Sequence, residues 1–308
     1  MDKHISVLLD EAISYLDIKE DGNYVDATLG FAGHSSKILE RIPKGFLIAF
    51  DKDISAIEYS DNVLSKIGSN YKLFNTSFCN MKSVISDCNL KIDGVLFDLG
   101  ISSPEIDDET RGFSYMKDSK LDMRMDTSSS FSAYDVVNSY SCDDLTRIFR
   151  EYGEEKYARR IANEIIKVRD EGEIVSTFQL VDIIDRCYPY KDKRNTHPAK
   201  KVFQALRIEV NNELSEFKSA LLDALDLISV GGRVVVITFH SLEDRICKNI
   251  FKEYTEASEV VKGMPDVPVE FLPRFKLVNS KVICPSSLEV MRNKRSRPAK
   301  MRVICKIR

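Results

Sequence analysis

The stretch from Gly22 to Asp51, GNYVDATLGFAGHSSKILERIPKGFLIAFD, decides the fold. Tyr24 to Thr28 and Gly45 to Phe50 are short apolar segments and predict two buried β-strands. A glycine-containing turn and a helix predicted over 36–41 lie between them. Strand, helix and strand in this order are typical of two parallel strands joined by a crossover helix.

The same alternation continues outward from this stretch. A helix is predicted over 54–67, with strands over 71–75 and 94–97. Before it, apolar residues at helical spacing predict a helix over 7–16, with Ser6 as its N-cap. We therefore expect an α/β fold whose mostly parallel, doubly wound sheet is covered by helices on both faces.

The turn after the first strand is the main candidate for a ligand site. Gly30 and Gly33 are spaced Gly-x-x-Gly, which lacks the third glycine of the dinucleotide fingerprint. In open parallel sheets, ligands bind beyond the carboxyl ends of the strands. Asp51 ends the second strand where a ribose-binding acid is expected, although a helix cap is the alternative. Phe78 follows the third strand and could stack on an adenine, but a lone aromatic residue is more often part of the core.

The segment DLGISSP at 98–104 loosely resembles the loop of enzymes that methylate exocyclic amino groups. Acceptors that bond the amino hydrogens would help to localise the nitrogen lone pair for an in-line attack on a methyl group. The candidate catalytic residues are Asp98, Ser102, Ser103, Pro104 and His240. For His240, which follows a later strand, a role in a local turn is the alternative.

The middle of the chain has a different character. Residues 107–138 are polar, and 143–212 show a charged helical pattern. A strand over 232–239, a helix over 242–254 and two final strands over 275–284 and 300–307 follow, the last two forming an antiparallel hairpin at the sheet edge. The predicted domains are 1–107 with 208–308, and an inserted helical domain over 108–207.

Composition excludes several classes of protein. The formal net charge of −3 argues against a general polyanion binder. No apolar stretch approaches the length of a membrane span, and the first residues lack the pattern of a secretory signal, so we expect a cytoplasmic protein with no membrane association. The seven cysteines are scattered without a CxxC pair, so neither a disulfide framework nor a metal site is expected.

Charge is distributed unevenly along the chain. Residues 291–308 contain eight basic residues and no acidic one, a pattern that fits phosphate contacts or an ordinary solvated strand. Phe113, Tyr115 and Phe239 are candidates for stacking on a base, and basic residues of the insertion are candidates for phosphate contact, with ordered loops and solvated helix faces as the alternatives. The candidate RNA-binding residues are Arg111, Phe113, Arg124, Lys200, Lys201, Arg295 and Arg297.

Several segments together resemble the ribosomal RNA small subunit methyltransferase H (MraW) family. They are HISVLL at 4–9, DATLGFAGHS at 26–35, DLGISSPEIDD at 98–108, RGFSYMKDSKLDMRMD at 111–126, YGEEKYARRIANEI at 152–165, HPAKKVFQALRIEVNNEL at 197–214, GGRVVVITFHSLEDR at 231–245 and NKRSRPAKMRV at 293–303. Eight matches in order cover nearly the whole chain.

The resemblance implies a class I methyltransferase with an inserted domain. S-adenosylmethionine would be the donor, and a cytidine N4 in the decoding region (P site) of 16S rRNA, within the small ribosomal subunit, the acceptor. No stable protein partner is implied. The implied cofactor contacts are Gly30, Ala32, Gly33, His34, Asp51, Phe78, Asp98 and Glu105. Ala32 stands where the family often has glycine, which should be tolerated if its φ is negative, and Glu105 where many members have Gln.

Two other kinds of function remain open on the sequence alone. One is a methyltransferase of the same fold that acts on DNA, protein or a small molecule. The other is a non-catalytic rRNA-binding or assembly factor, and a nicotinamide oxidoreductase is a more distant alternative because the third fingerprint glycine is absent.

Overall fold

A computed structural model describes residues 6–194, 197–257, 268 and 271–308, without the side chains at positions 103, 104, 193 and 194. The start of the first family motif, His4 and Ile5, lies outside the described residues. The chain forms two compact units, one built from residues up to Gly100 with Leu214–Arg308, the other from Ile101–Glu213. The boundaries predicted from the sequence, at 107/108 and 207/208, remain predictions.

The first unit contains a seven-stranded sheet in the order β3-β2-β1-β4-β5-β7-β6. The strands are β1 Asn23–Asp26, β2 Phe46–Asp51, β3 Tyr71–Asn75, β4 Ile92–Asp98, β5 Ile228–Thr238, β6 Phe275–Leu277 and β7 Lys300–Lys306. The first five are parallel, whereas β7 pairs antiparallel with both β5 and β6. The predicted mostly parallel sheet and its antiparallel edge hairpin are confirmed.

The last hairpin differs from the prediction in the length of its first strand. Strand β6 ends at Leu277, not at Cys284. Val278 and Ile283 still bond the backbone of β7, but Asn279 and Ser280 between them leave the ladder, where Asn279 Nδ2 bonds the carbonyl of Lys281. A local side-chain-to-backbone bond therefore replaces strand pairing here.

Both faces of the sheet are buried, as a parallel sheet requires. On β1 and β2, Val25 and Ile48 pack into one core, whereas Tyr24 and Leu47 pack into the core on the opposite face. This alternation with a period of two places helices on both sides. The helices of this unit are α1 Leu9–Leu16, α2 Gly33–Leu39, α3 Ile54–Leu64, α4 Met81–Cys88, α11 Glu213–Leu227, α12 Ser241–Thr255 and α13 Ser287–Arg292.

The start of α1 corrects the sequence prediction. The helix begins at Leu9, and its N-cap is Leu8 in the left-handed region with no side-chain cap, so Ser6 is not the cap. The N–H of Leu8 instead donates to Glu289 Oε1 of α13, at 2.8 Å. A carboxylate from a distant part of the chain thus replaces the local cap that the sequence suggested.

The second unit is helical and has its own core. Its helices are α5 Ser103–Asp107, α6 Ala133–Ser139, α7 Cys142–Glu151, α8 Ala158–Arg169, α9 Thr177–Cys187 and α10 Ala199–Asn211. Ser141 and Ser176 cap α7 and α9 through their side chains. Apolar residues from all but α5 meet in one fully buried cluster. Across the described residues of both units, no helix is long and apolar enough to cross a membrane.

A substitution at Gly45 tests how closely the chain segments that precede β1 and β2 approach each other. A Cβ atom at Gly45 would lie 1.9 Å from the carbonyl oxygen of Gly22, a backbone atom that cannot rotate away. We expect Gly45→Ala to lower the free energy of unfolding by about 2 kcal/mol or more, measured by urea denaturation. Gly172→Ala is the control, since nothing lies within 4 Å of its Cβ position. Equal stabilities of the two variants would contradict the close approach.

Candidate active site

The glycine turn after β1 is tied to the end of β2. The N–H of Gly30 donates to Asp51 Oδ2 at 2.8 Å, and the carbonyl of Gly30 accepts from Ser60 Oγ of α3. At Gly33, a Cβ would lie 1.8 Å from Ser6 Oγ, so a larger residue would force the Ser6 side chain to move. Two strand ends and two helices therefore hold the turn in one conformation.

Ala32 has a conformation that the sequence analysis did not anticipate. Its φ is +60°, so the negative φ that was the condition for tolerating alanine here without strain is not met. A left-handed residue with a side chain costs about 1 kcal/mol relative to glycine. The conformation lets α2 begin at Gly33 rather than at Ser36 as predicted, and the carbonyl of Ala32 accepts the first helical bond, from Ser36 N. The buried methyl group offsets part of the cost.

Asp51 lies at the carboxyl end of β2, and both of its carboxylate oxygens accept backbone hydrogen bonds. Oδ2 accepts from Gly30 N, and Oδ1 accepts from Asp53 N at 2.9 Å. Asp53, not Asp51, caps helix α3. The two backbone bonds fix the orientation of the Asp51 carboxylate at the strand end.

Asp98 lies at the end of β4, close to the residues that follow β1. Its N–H donates to Thr28 Oγ1 at 2.7 Å, and its Oδ2 lies 3.5 Å from His34 Nδ1. Oδ1 is buried and has no hydrogen-bond partner among the described residues. An unsatisfied buried carboxylate oxygen is costly, so this atom marks a place where a ligand can donate a hydrogen bond.

Two further acidic residues act on Asp98 through their charges. Burial and then the charges of Asp26 and Glu243 raise the pKa of Asp98 well above its ordinary value. Burial also raises the pKa of Asp26, although Ser35 Oγ and the N–H of Thr28 donate to it. A cation bound here would relieve this repulsion.

His240 and Glu243 close the carboxyl end of β5. His240 is the N-cap of α12, and its Nε2 lies 3.0 Å from Glu243 Oε1. The other Glu243 oxygen accepts from the N–H groups of Phe239 and His240, at 2.8 and 3.2 Å. His240 thus has a defined role in capping the helix, and the predicted contact with a base remains a prediction.

Phe78 lies in a single 3-10 turn after β3 and is half-buried. Its ring meets Phe97 edge-on at 5.9 Å and packs against one of the two sheet cores. The preceding Ser77 donates to Glu216, which also pairs with Lys52 at 2.6 Å. The residue before Phe78 is therefore linked through Glu216 to Lys52, the residue after Asp51, and stacking of Phe78 on an adenine remains a prediction.

Comparison with known protein families identifies the family of this chain. The family model for the MraW methylase family matches residues 1–307. The chain belongs to the MraW methylase family. It is accordingly a methyltransferase of the class I fold, and S-adenosylmethionine is its methyl donor.

Three solved structures are similar over nearly their whole lengths. A protein from Clostridium thermocellum assigned as an rRNA methylase is 13% identical with a TM-score of 0.47, covering 99% of this chain and 100% of its own. An rRNA methylase from Streptococcus thermophilus is 12% identical, TM-score 0.43, covering 97% and 93%. A protein from Streptococcus mutans assigned as a methyltransferase and crystallised with SAH is 11% identical, TM-score 0.45, covering 98% and 99%.

The predicted site residues of the methyltransferase at positions 102–105 belong to the second unit. Ser102 Oγ donates to Glu105 Oε2 at 2.6 Å, and the same oxygen accepts from the N–H of Ser102. Glu105 thus contributes its carboxylate to the start of α5, an acceptor role that a Gln side chain could also fill. The side chains of Ser103 and Pro104 lie outside the described part of the chain.

Arg111, Arg124 and Phe113 organise the loop between α5 and α6. Arg111 Nη2 donates to the carbonyls of Arg124 and Met125, and Arg124 forms a two-point contact with Asp122. Although burial opposes it, the Arg124 guanidinium holds the pKa of Asp122 below its ordinary value. Phe113 is only 7% exposed, within the helical core. In this structure these three residues order the loop, and contact with RNA remains a prediction.

The basic residues near the end of the chain divide into two groups. Lys300 and Arg302 pair with Asp244 of α12 at 3.0 and 2.7 Å and so fasten β7 to that helix. Arg295 and Arg297 are exposed on the segment before β7. In the other unit, Lys200 and Lys201 are exposed on α10, where Lys201 also bonds the carbonyl of Glu154.

Sequence reasoning missed Thr28, Asp26 and Glu243. Asp26 carried a usable signal, since a carboxylate at the end of an otherwise apolar buried strand requires partners. Glu243 stands three residues after His240, the spacing of a capping box, but His is not a usual first member of that pattern. Thr28 is recognisable only once β1 and β4 are known to be neighbours.

Asp98→Asn is expected to change stability and cofactor affinity in opposite directions. Because the pKa of Asp98 is higher in the folded chain than in the unfolded chain, stability is lost as pH rises from about 4 through the folded-state pKa. The amide removes that loss, so the variant should be more stable than the parent near pH 7. Its Kd for S-adenosylmethionine should rise about 10-fold or more.

Thermal denaturation at several pH values and calorimetric titration measure the two effects. Asp87→Asn, which removes an exposed carboxylate of the same unit, is the control and should change neither. If the pH–stability profile of Asp98→Asn coincided with that of the parent, the raised pKa of Asp98 would not be the cause of the loss of stability with rising pH.

Proposed function

We propose that this methyltransferase transfers a methyl group to N4 of a cytidine in the decoding region (P site) of 16S rRNA. The observation that carries the proposal is the meeting of the Gly30 turn, Asp51 and Asp98 at adjacent strand ends. Membership in the MraW methylase family and the loop at 98–104 support the reaction and the acceptor group.

The residues fit the cofactor through the positions of their backbone and carboxylate groups and, at Asp98, through one buried oxygen without a hydrogen-bond partner among the described residues. The two Asp51 oxygens are held so that each can accept from a ribose hydroxyl. The lone Asp98 Oδ1 is matched by an ammonium donor, and Gly30, Ala32, Gly33 and His34 form the turn that would surround the methionine part. When bound, S-adenosylmethionine supplies a methyl group that passes from its sulfonium sulfur to an acceptor lone pair, leaving a neutral thioether and an acceptor proton that water can take.

The contribution of the protein to the transfer is positioning. The sulfonium charge disappears during the reaction, so a carboxylate directly at the sulfur would stabilise the ground state more than the transition state. Asp98 therefore serves the ammonium end, and neutral backbone and hydroxyl acceptors after it orient the amino hydrogens of the base. Alignment of nucleophile and methyl carbon supplies the acceleration.

One incubation tests the activity. Labelled S-adenosylmethionine is supplied with small ribosomal subunits from a strain lacking this protein, and the digested rRNA is analysed by mass spectrometry. We expect N4-methylcytidine in the decoding region and none in large subunits or DNA incubated in parallel. Label in DNA or protein would favour another substrate, whereas cofactor binding without transfer would favour an assembly factor.

The exposed basic residues before β7 provide a second test of an RNA substrate. The double variant Arg295→Glu, Arg297→Glu should bind the subunit's RNA more weakly, and its log Kd should depend less steeply on log salt, by about one for each phosphate that the variant no longer binds. Binding is measured at several salt concentrations with S-adenosylhomocysteine present. Lys66→Glu, at an exposed position on the same unit, is the matched control. An unchanged salt slope in the double variant would count against phosphate contacts at this segment.

A further inference from the structure

Phe239 stands at the carboxyl end of β5, level with the loop that leaves β4. Asp98 and Ile237 are partners in the register of these two parallel strands, and the N–H of Leu99 bonds the carbonyl of Ile237 at 3.0 Å. Gly100 and Phe239 therefore emerge side by side, each two residues beyond that pair. The ring of Phe239 comes within 3.5 Å of the Cβ position of Gly100.

The glycine leaves the aromatic ring uncovered. Gly100 has a φ of +103°, a conformation that side chains rarely adopt, and it is exposed. Part of the Phe239 ring packs against the sheet core, and the rest stays accessible, since the residue is half-buried. An aromatic face at the edge of a ligand crevice is the form of surface on which a nucleobase stacks.

The backbone of Phe239 is held firmly. Its N–H donates to Glu243 Oε2 at 2.8 Å, and Glu243 is itself 2% exposed. The same carboxylate oxygen accepts from the N–H of His240. A buried acceptor with two backbone donors fixes where the ring leaves the strand end, so little conformational freedom is lost when a base stacks on it.

The other aromatic candidates for stacking are occupied within the second unit. Phe113 is 7% exposed in the helical core. Tyr115 stacks on the ring of His197 at 4.6 Å and meets Phe203 edge-on at 5.7 Å. Phe113 is therefore buried and Tyr115 already has two aromatic partners, whereas Phe239 is partly exposed where β5 ends, next to β4.

We propose that Phe239 is the stacking surface for the acceptor base and that Glu243 acts as a positioning residue for it. The inference rests on the proposed function, because it assumes that a nucleobase enters beside the loop at 98–104. Stacking would set the height of the base plane relative to the cofactor and would discriminate planar bases from other acceptors.

The chain contains no tryptophan, which makes a direct optical test available. Phe239→Trp introduces a single fluorophore at this position, and Phe178→Trp introduces one at an exposed position of the second unit as the control. Unmethylated small subunits are added with S-adenosylhomocysteine. We expect the emission of the fluorophore at position 239 to fall and that of the fluorophore at position 178 to change little. Equal changes at both positions would overturn the stacking role.

Steady-state kinetics of Phe239 variants distinguish a role in stacking on the base from a role in packing the core. Phe239→Leu keeps an apolar side chain for the core but lacks an aromatic face, and its KM for subunits should rise about 5- to 100-fold with a smaller change in kcat. Phe239→Tyr should restore KM to near the parent value. A residue that matters only for packing would lower thermal stability without this split, and an unchanged KM in a folded Phe239→Leu variant would refute the inference.

The two proposals fail in different ways. If the parent protein methylates the rRNA cytidine but the Phe239 variants behave as the parent does, only the stacking inference is wrong. If the parent protein methylates no nucleobase, the proposed function is wrong and the inference falls with it.

Discussion

The site depends on β1 pairing with β2 on one side and with β4 on the other. In this register Asp26 lies beside both Ala49 and Leu96, so the three strands end at the same edge of the sheet. Only then can the N–H of Gly30 reach Asp51, and Thr28 reach the N–H of Asp98. Because the chain runs outward in opposite directions from β1, the crossover connections leave a crevice at these strand ends, which is where open parallel sheets bind their ligands.

A second consequence of this convergence is the accumulation of negative charge. Asp26 and Asp98 end neighbouring strands, and Glu243 follows the next one, so their charges raise the pKa of Asp98 together with burial. Hydrogen bonds from Ser35 and Thr28 compensate Asp26, and backbone donors compensate Glu243, whereas Oδ1 of Asp98 has no such bond among the described residues. The protein therefore retains an arrangement that is unfavourable for its own stability and favourable for a cationic ligand.

The sequence was sufficient to predict most of the features that follow from strand order. A Gly-x-x-Gly turn after an apolar strand and an acid at the end of the next strand place Gly30 and Asp51 together in any doubly wound sheet. Details that depend on distant contacts could not be predicted. Glu289 replaces Ser6 at the start of α1, and the left-handed conformation of Ala32 is visible only in the finished turn. A resemblance of motifs selects Arg111 and Arg124 as candidates, but it does not reveal that their side chains order their own loop.

The basic residues at 291–308 show why a run of charge in a sequence does not by itself reveal which side chains face the solvent. The answer depends on which of these residues lie in strand β7. In β7, Met301 and Val303 pack into one sheet core, so the period of two places Lys300 and Arg302 on the other face, toward α12. Asp244 is positioned there to receive both, and these two cations hold its pKa below the ordinary value despite burial. Asp244 neutralises one of these two positive charges, and both cations are engaged in fastening β7 to α12. Arg295 and Arg297 precede the strand, are not subject to its alternation, and so remain at the surface where a polyanion can meet them.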